Sequence, residues 1–141
     1  QVTRAEKGLI WWLVNRPAAA LAALEELEPN DTGELATGSG LDLALKLKEN
    51  SGFTPSVFIE RLDRAESDLV TEVAGESEPP VNEVGDCVRV IRKLRYERER
   101  ADLQREIDRL QQQGASEHGD QIDELWVKKQ DLLKRIERLT Y

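Results

Sequence analysis

One histidine and one cysteine are the most reactive groups in this chain, and neither has company. His118 stands between Glu117 and Gly119 in a polar stretch, and no serine or cysteine is paired with it as a triad would require. Cys87 excludes an internal disulfide, and no CxxC or Cys/His cluster suggests zinc. It reads as a small buried apolar side chain. The glycine-bearing stretch TGELATGSG lacks a GK[ST] ending and follows no strand, which argues against a phosphate loop. PNDTGE offers carboxylates without the spacing of a calcium loop. The pairs Glu25-Glu26 and Asp123-Glu124 lie on helices among many other charges and read as solvated faces. RKLRYERER mixes signs in the manner of an exposed helix with local ion pairs. The sequence shows no active site, and its expected work is binding.

The chain of 141 residues suits one domain, or a small domain with an appendage, and is long enough to bury a core without disulfides. Leu, Ala, Glu, Arg, Lys and Gln dominate over Val, Ile and aromatics, so helices are favoured over sheet. The longest apolar runs, Leu9–Val14 and Ala18–Leu24, fall far short of a membrane span. No targeting segment is visible at the start, so a cytoplasmic setting is expected. The opening QVTRAEK lacks an initiator and the chain contains no methionine, which reads as a piece of a longer protein. Charge is unevenly placed: residues 1–91 carry eight Lys/Arg against seventeen Asp/Glu, whereas residues 92–141 carry twelve against eleven. An acidic body with a neutral tail offers no basic stripe for phosphates, so direct nucleic-acid binding is not expected. The change near residue 92 suggests two structural units.

The elements follow from caps and breakers. Thr3 and Glu6 have capping-box spacing, and Leu9, Ile10, Leu13 and Val14 follow at helical intervals until Asn15-Arg16-Pro17. Pro17 opens a second helix at its first position. EPNDTGELATGSG reads as a loop with at most a turn near Leu35, and LDLALKLKEN as a helix stopped by Gly52. Thr54-Pro55 launches SVFIERLD, and SDLVTEVAG is a short helix ending at Gly75, before the breaker ESEPP. From Val81 to Gln113 no proline intervenes; at about 1.5 Å per residue this is roughly 50 Å of helix, expected to project from the body. GASEHG closes it, and Asp120 reads as the N-cap of the last helix.

That last helix keeps a seven-residue pattern, with Ile122, Lys129 and Ile136 at one position and Leu125, Leu132 and Leu139 at the other. Three heptads behind a short connection predict an antiparallel hairpin with the preceding helix. The long helix carries two apolar stripes. Val84, Cys87, Val88, Ile91 and Leu94 face one way; Tyr96, Leu103, Ile107 and Leu110 are turned from them by roughly 130°. The first stripe is expected on the body and the second against the last helix. Trp126 and Leu133 flank the seam and Val127 lies further round, so Trp126 either broadens the hairpin or belongs to an interaction patch. Trp11-Trp12 are neighbours 100° apart, suited to the body's core and its edge.

The fold class predicted is all-α, a small helical bundle joined by a long helix to a C-terminal antiparallel helical hairpin. Body and hairpin are placed at residues 1–94 and 95–141, with the helix 81–113 shared. This arrangement resembles the C-terminal domain of bacterial DNA primase (DnaG type). The residues that carry the likeness are KGLIWWLVNRPAAALAAL, LKLKENSGFTPSVFIERL, IRKLRYERERADLQREIDRL and DELWVKKQDLLKRIERL, covering nearly the whole chain. The resemblance implies a helicase-interaction module that docks primase onto the N-terminal domain of the hexameric DnaB-type replicative helicase and modulates its activity during primer synthesis. It implies no enzyme in this segment. The parent nucleotidyltransferase would use zinc and magnesium in regions absent from this sequence, and the cofactor expected here is none. It further implies a monomer that works at the bacterial replication fork and touches no membrane. By position on the hairpin, the expected contacts are Trp126, Leu133 and Lys134, with Gln130 beside them and Tyr96 near the junction. The competing reading is a coiled-coil hairpin adaptor or scaffold unrelated to primase, which would self-associate.

Overall fold

Helix α1 (Arg4–Asn15) starts where Thr3 and Glu6 predict. The Thr3 hydroxyl accepts the Glu6 N–H at 3.3 Å, and the Glu6 carboxylate accepts the Thr3 N–H at 2.7 Å. Two orphan amides at the helix start are thereby satisfied. Pro17 opens α2 (Pro17–Leu24) as its first residue. The computed structural model describes residues 2–33, 35–50, 52–114 and 116–140, and every regular element among them is a helix. The remaining helices are α3 (Pro29–Thr32), α4 (Gly38–Asn50), α5 (Pro55–Arg61), α6 (Arg64–Ala74), α7 (Val84–Gly114) and α8 (Gly119–Thr140). The protein is all-α.

Several boundaries depart from the sequence reading. The stretch 28–40, expected as a loop, holds the single turn α3 and the beginning of α4 at Gly38; Glu34 within it lies outside the described residues. Asp31 drives the turn by accepting the Glu28 N–H at 2.8 Å. Asp63 caps α6 four residues before Ser67, where the sequence reading begins that helix, accepting the Glu66 N–H at 2.8 Å. These hydrogen bonds, backbone first, hold the Asp63 carboxyl below its usual range. The long helix begins at Val84, not Val81. The last begins at Gly119, which puts Asp120 inside its first turn.

The chain divides into two compact units, residues 1–91 and 92–141. In the first, Leu9, Leu13, Leu24, Leu41, Phe58 and Ile91 are fully buried in one apolar cluster. Each such side chain contributes about 1.5–3 kcal/mol by leaving water. Cys87 and Val88 join Ile91 there, so the first stripe of α7 serves this core. Gly8 makes room for it, because a Cβ at Gly8 would lie 2.7 Å from Cys87 Sγ and 3.0 Å from Val81 Cγ2.

The tandem tryptophans both belong to this unit, their rings edge to face at 5.5 Å. Trp11 is buried and Trp12 half-buried. Trp11 Nε1 donates to the Glu76 carbonyl at 2.9 Å and Trp12 Nε1 to the Val81 carbonyl at 3.1 Å. Asn15 Nδ2 adds a bond to the Ala74 carbonyl, and Arg4 Nε one to that of Pro80 at 2.7 Å. The segment that follows α6, rich in helix breakers, is thus satisfied by side chains of α1 rather than by a ladder of its own.

Glu6 is fully buried and acts beyond its cap. Its Oε1 accepts the Thr37 N–H and the Thr37 hydroxyl, both at 2.9 Å, while Oε2 accepts the Thr3 hydroxyl at 2.8 Å. One carboxylate therefore ties the start of α1 to the start of α4. Burial alone would push its pKa up, but the four donors on Thr3 and Thr37 outweigh it and leave the group below the ordinary carboxylate range.

Candidate interaction surface on the last helix

Within residues 92–141, α8 runs antiparallel to the second half of α7. Ile107 and Leu110 cluster with Ile122, Lys129 Nζ donates to Gln104 Oε1, and Arg135 stands 5.7 Å from the Tyr96 ring centroid. Partners descend along α7 as they ascend along α8, which is the order an αα-hairpin requires. Ile122 and Leu132 are buried in the seam, with Leu125, Ile136 and Leu139 half-buried.

Beyond the seam, α8 exposes large apolar groups. Trp126 is 38% exposed and Val127 62%. Gln130 and Lys134 are exposed and Leu133 is half-buried. Trp126, Gln130, Leu133 and Lys134 stand at i, i+4, i+7 and i+8, so the helix repeat brings the four onto one flank.

Tyr96 does not belong with them. It is only 3% exposed, its hydroxyl accepting from Arg92 at 3.3 Å and its ring lying 4.9 Å from the Arg95 guanidinium carbon. Arg92, Arg95 and Arg135 crowd an aromatic ring that is electron-rich on its faces, and the tyrosine is consumed in packing.

Lys129 has a role that heptad reading missed. Read as a polar interruption of the seam, it is half-buried, hydrogen-bonded across to Gln104, and has its Nζ 4.5 Å from the Trp126 ring centroid. The available signal was the i, i+3 spacing of Trp126 and Lys129, which puts a cation beside an aromatic face.

On the other flank a groove of about 460 Å³ is lined by Glu99, Asp102, Leu103, Lys128, Asp131, Leu132 and Arg135. Glu99 accepts from Arg95 at 3.0 Å and Asp102 pairs with Arg105, so two of its carboxylates are engaged by neighbours on their own helix. Nothing in this arrangement pairs an acid with a base for proton transfer.

The remaining chemical candidates are also structural. Burial, then the neighbouring Asp86, pushes the Cys87 thiol up to about 11, where it is inert as a nucleophile. Gly38 and Gly40 of the glycine-bearing stretch are buried in the first turn of α4, and the Gly38 N–H donates to the Leu35 carbonyl at 3.1 Å. His118 is half-buried in the α7–α8 connection, and its backbone amide donates to the Gly114 carbonyl at 3.2 Å. Among the described residues no group of three or more His, Cys, Asp or Glu is placed to hold a metal ion. None of the described helices is long and apolar enough to cross a membrane. Compared with protein-family models, with curated proteins and with solved structures, the chain finds no match.

Proposed function

We propose that this chain is a protein-docking module of the kind found at the C-terminus of bacterial DNA primase, and that its partner is the N-terminal domain of a DnaB-type replicative helicase. The observation that carries the reading is the exposed Trp126–Val127 surface on α8, present after the hairpin seam has closed on Ile107, Leu110, Ile122 and Leu132. The 38% exposed indole and the 62% exposed Val127 leave apolar surface on α8 that the seam does not cover. Large aromatics rimmed by polar groups are the usual anchors of protein interfaces. Order and spacing of elements agree with the resemblance drawn from the sequence: short helices, one long helix, then an antiparallel partner.

Docking that alters helicase activity requires the surface to favour one helicase arrangement, and the helicase reciprocally favours the primase state that fits. The anchor is Trp126, with Leu133 extending the apolar strip and Gln130 and Lys134 at its polar margin. A fork-associated, cytoplasmic setting belongs to the same proposal, as does catalysis residing elsewhere in a parent primase.

Binding, melting and sedimentation measurements test it. Titrated with the helicase N-terminal domain from the same organism, Trp126→Ala loses about tenfold or more in affinity, the typical cost of truncating an aromatic anchor. Its melting temperature stays near that of the unmodified chain, whereas a packing role for Trp126 predicts the reverse pattern. Removing residues 96–141 abolishes binding; undiminished binding by the shortened chain would assign the surface to the body instead. Sedimentation separates this reading from a self-associating hairpin adaptor, which forms an obligate oligomer.

A further inference from the structure

Why Trp126 stays outside the seam is itself a physical question. An indole one position off an apolar stripe gains by rolling onto it, and Leu133 at i+7 extends that stripe beneath. Lys129 occupies the place where it would roll. Its Nζ lies 4.5 Å from the ring centroid, and the same ammonium donates across the hairpin to Gln104 Oε1. The ammonium is therefore tethered from the α7 side and faces the ring from the α8 side. A leucine in its place would continue the series Ile122, 129, Ile136 and offer the indole an apolar bed.

We infer that Lys129, held by Gln104, is a positioning residue for Trp126, fixing the indole in the outward orientation that a partner reads. The inference rests on the reading of Trp126 as a docking contact, and it adds the device that keeps the contact presented. Lys129 interrupts an otherwise apolar heptad position, a substitution that costs hairpin stability and can be retained for specificity. A cation–π contact at a partly exposed site shifts a rotamer population by roughly two- to fivefold, so the effect is a bias and not a lock.

The test uses the full 141-residue chain and first a readout that needs no partner. The Trp126 indole N–H is identified in a ¹H–¹⁵N spectrum by its disappearance in Trp126→Phe. In Lys129→Leu this resonance shifts and the indole N–H exchanges more slowly with water as the ring turns onto the seam, while the melting temperature is unchanged or higher. Gln104→Leu, which removes only the tether, gives a smaller change in the same direction, and Lys129→Arg restores the parent spectrum by supplying cation and donor together. Affinity for the helicase N-terminal domain drops roughly two- to fivefold in Lys129→Leu. An indole resonance that is placed, and exchanges with water, in Lys129→Leu as in the parent overturns the inference. An inward-turned indole with undiminished helicase affinity supports the positioning role and counts instead against Trp126 as the docking contact.

Discussion

Replacing Glu6 with alanine unfolds a large fraction of the molecule's stability: denaturant melts show a loss of about 3 kcal/mol or more at neutral pH. The carboxylate is fully buried and receives four hydrogen bonds, from the amides and hydroxyls of Thr3 and Thr37. Charge-assisted bonds contribute about 1.5–3 kcal/mol each, and stranding their donors in the interior adds a desolvation penalty. Against a total stability of about 5–15 kcal/mol this is a severe change. Glu6→Gln is nearly as damaging, at about 2–3 kcal/mol, since an amide NH₂ must then face donors at one of the two threonines.

The same residue sets an acid limb. Its pKa is lowered on folding, so the carboxylate's stabilisation is complete above the ordinary glutamate range. It declines as the pH falls through that range towards the lower folded value, because protonation there disfavours the native state. Stability measured against pH should therefore fall more steeply on acidification in the parent chain than in Glu6→Gln. Equal slopes in the two would remove Glu6 as the cause.

The second severe change is Gly38→Ala. Alanine is the better helix former by about 1 kcal/mol, and at an open helical position the substitution would stabilise. Here the added Cβ would lie 2.1 Å from the Thr32 carbonyl oxygen, an atom of the backbone that no rotamer change can move. Thr32 or the start of α4 must shift, and with the latter the Thr37 donors that Glu6 depends on. A net loss of about 3 kcal/mol is expected, and a mutant that melts at or above the parent temperature would show that the turn yields freely. Gly38→Ala combined with Glu6→Gln should cost less than the sum of the two, because both act on Thr37.

How much of this was readable in advance divides by range. Caps at Thr3, Thr54 and Asp63, and proline starts at Pro17 and Pro55, are local signals, although the sequence placed α6 too late because its first turn is polar. The two stripes of α7 were visible because a helix repeats within a turn. The beginning of α4 was missed: a glycine run normally marks a loop, and only the close approach of Thr32 explains glycine inside a helix. Tyr96 was placed by spacing on the second stripe and near the junction, and spacing does not show the arginines of its own unit that surround it. Lys129 looked like a defect because heptad reading scores each position alone, whereas its partners are Gln104, 25 residues away, and Trp126. Interactions between distant positions are what a periodic pattern omits.

The indole bonds of Trp11 and Trp12 to the carbonyls of Glu76 and Val81 also bear on biosynthesis. The earliest helix of the body leans on some of its last residues, across separations of 65 and 69 positions. A nascent chain leaving the ribosome cannot complete that helix's surroundings until Val81 has cleared the exit tunnel. During that interval the apolar face of α1, with Leu9, Ile10 and Leu13, is only partly covered, which is a window in which a chaperone can act.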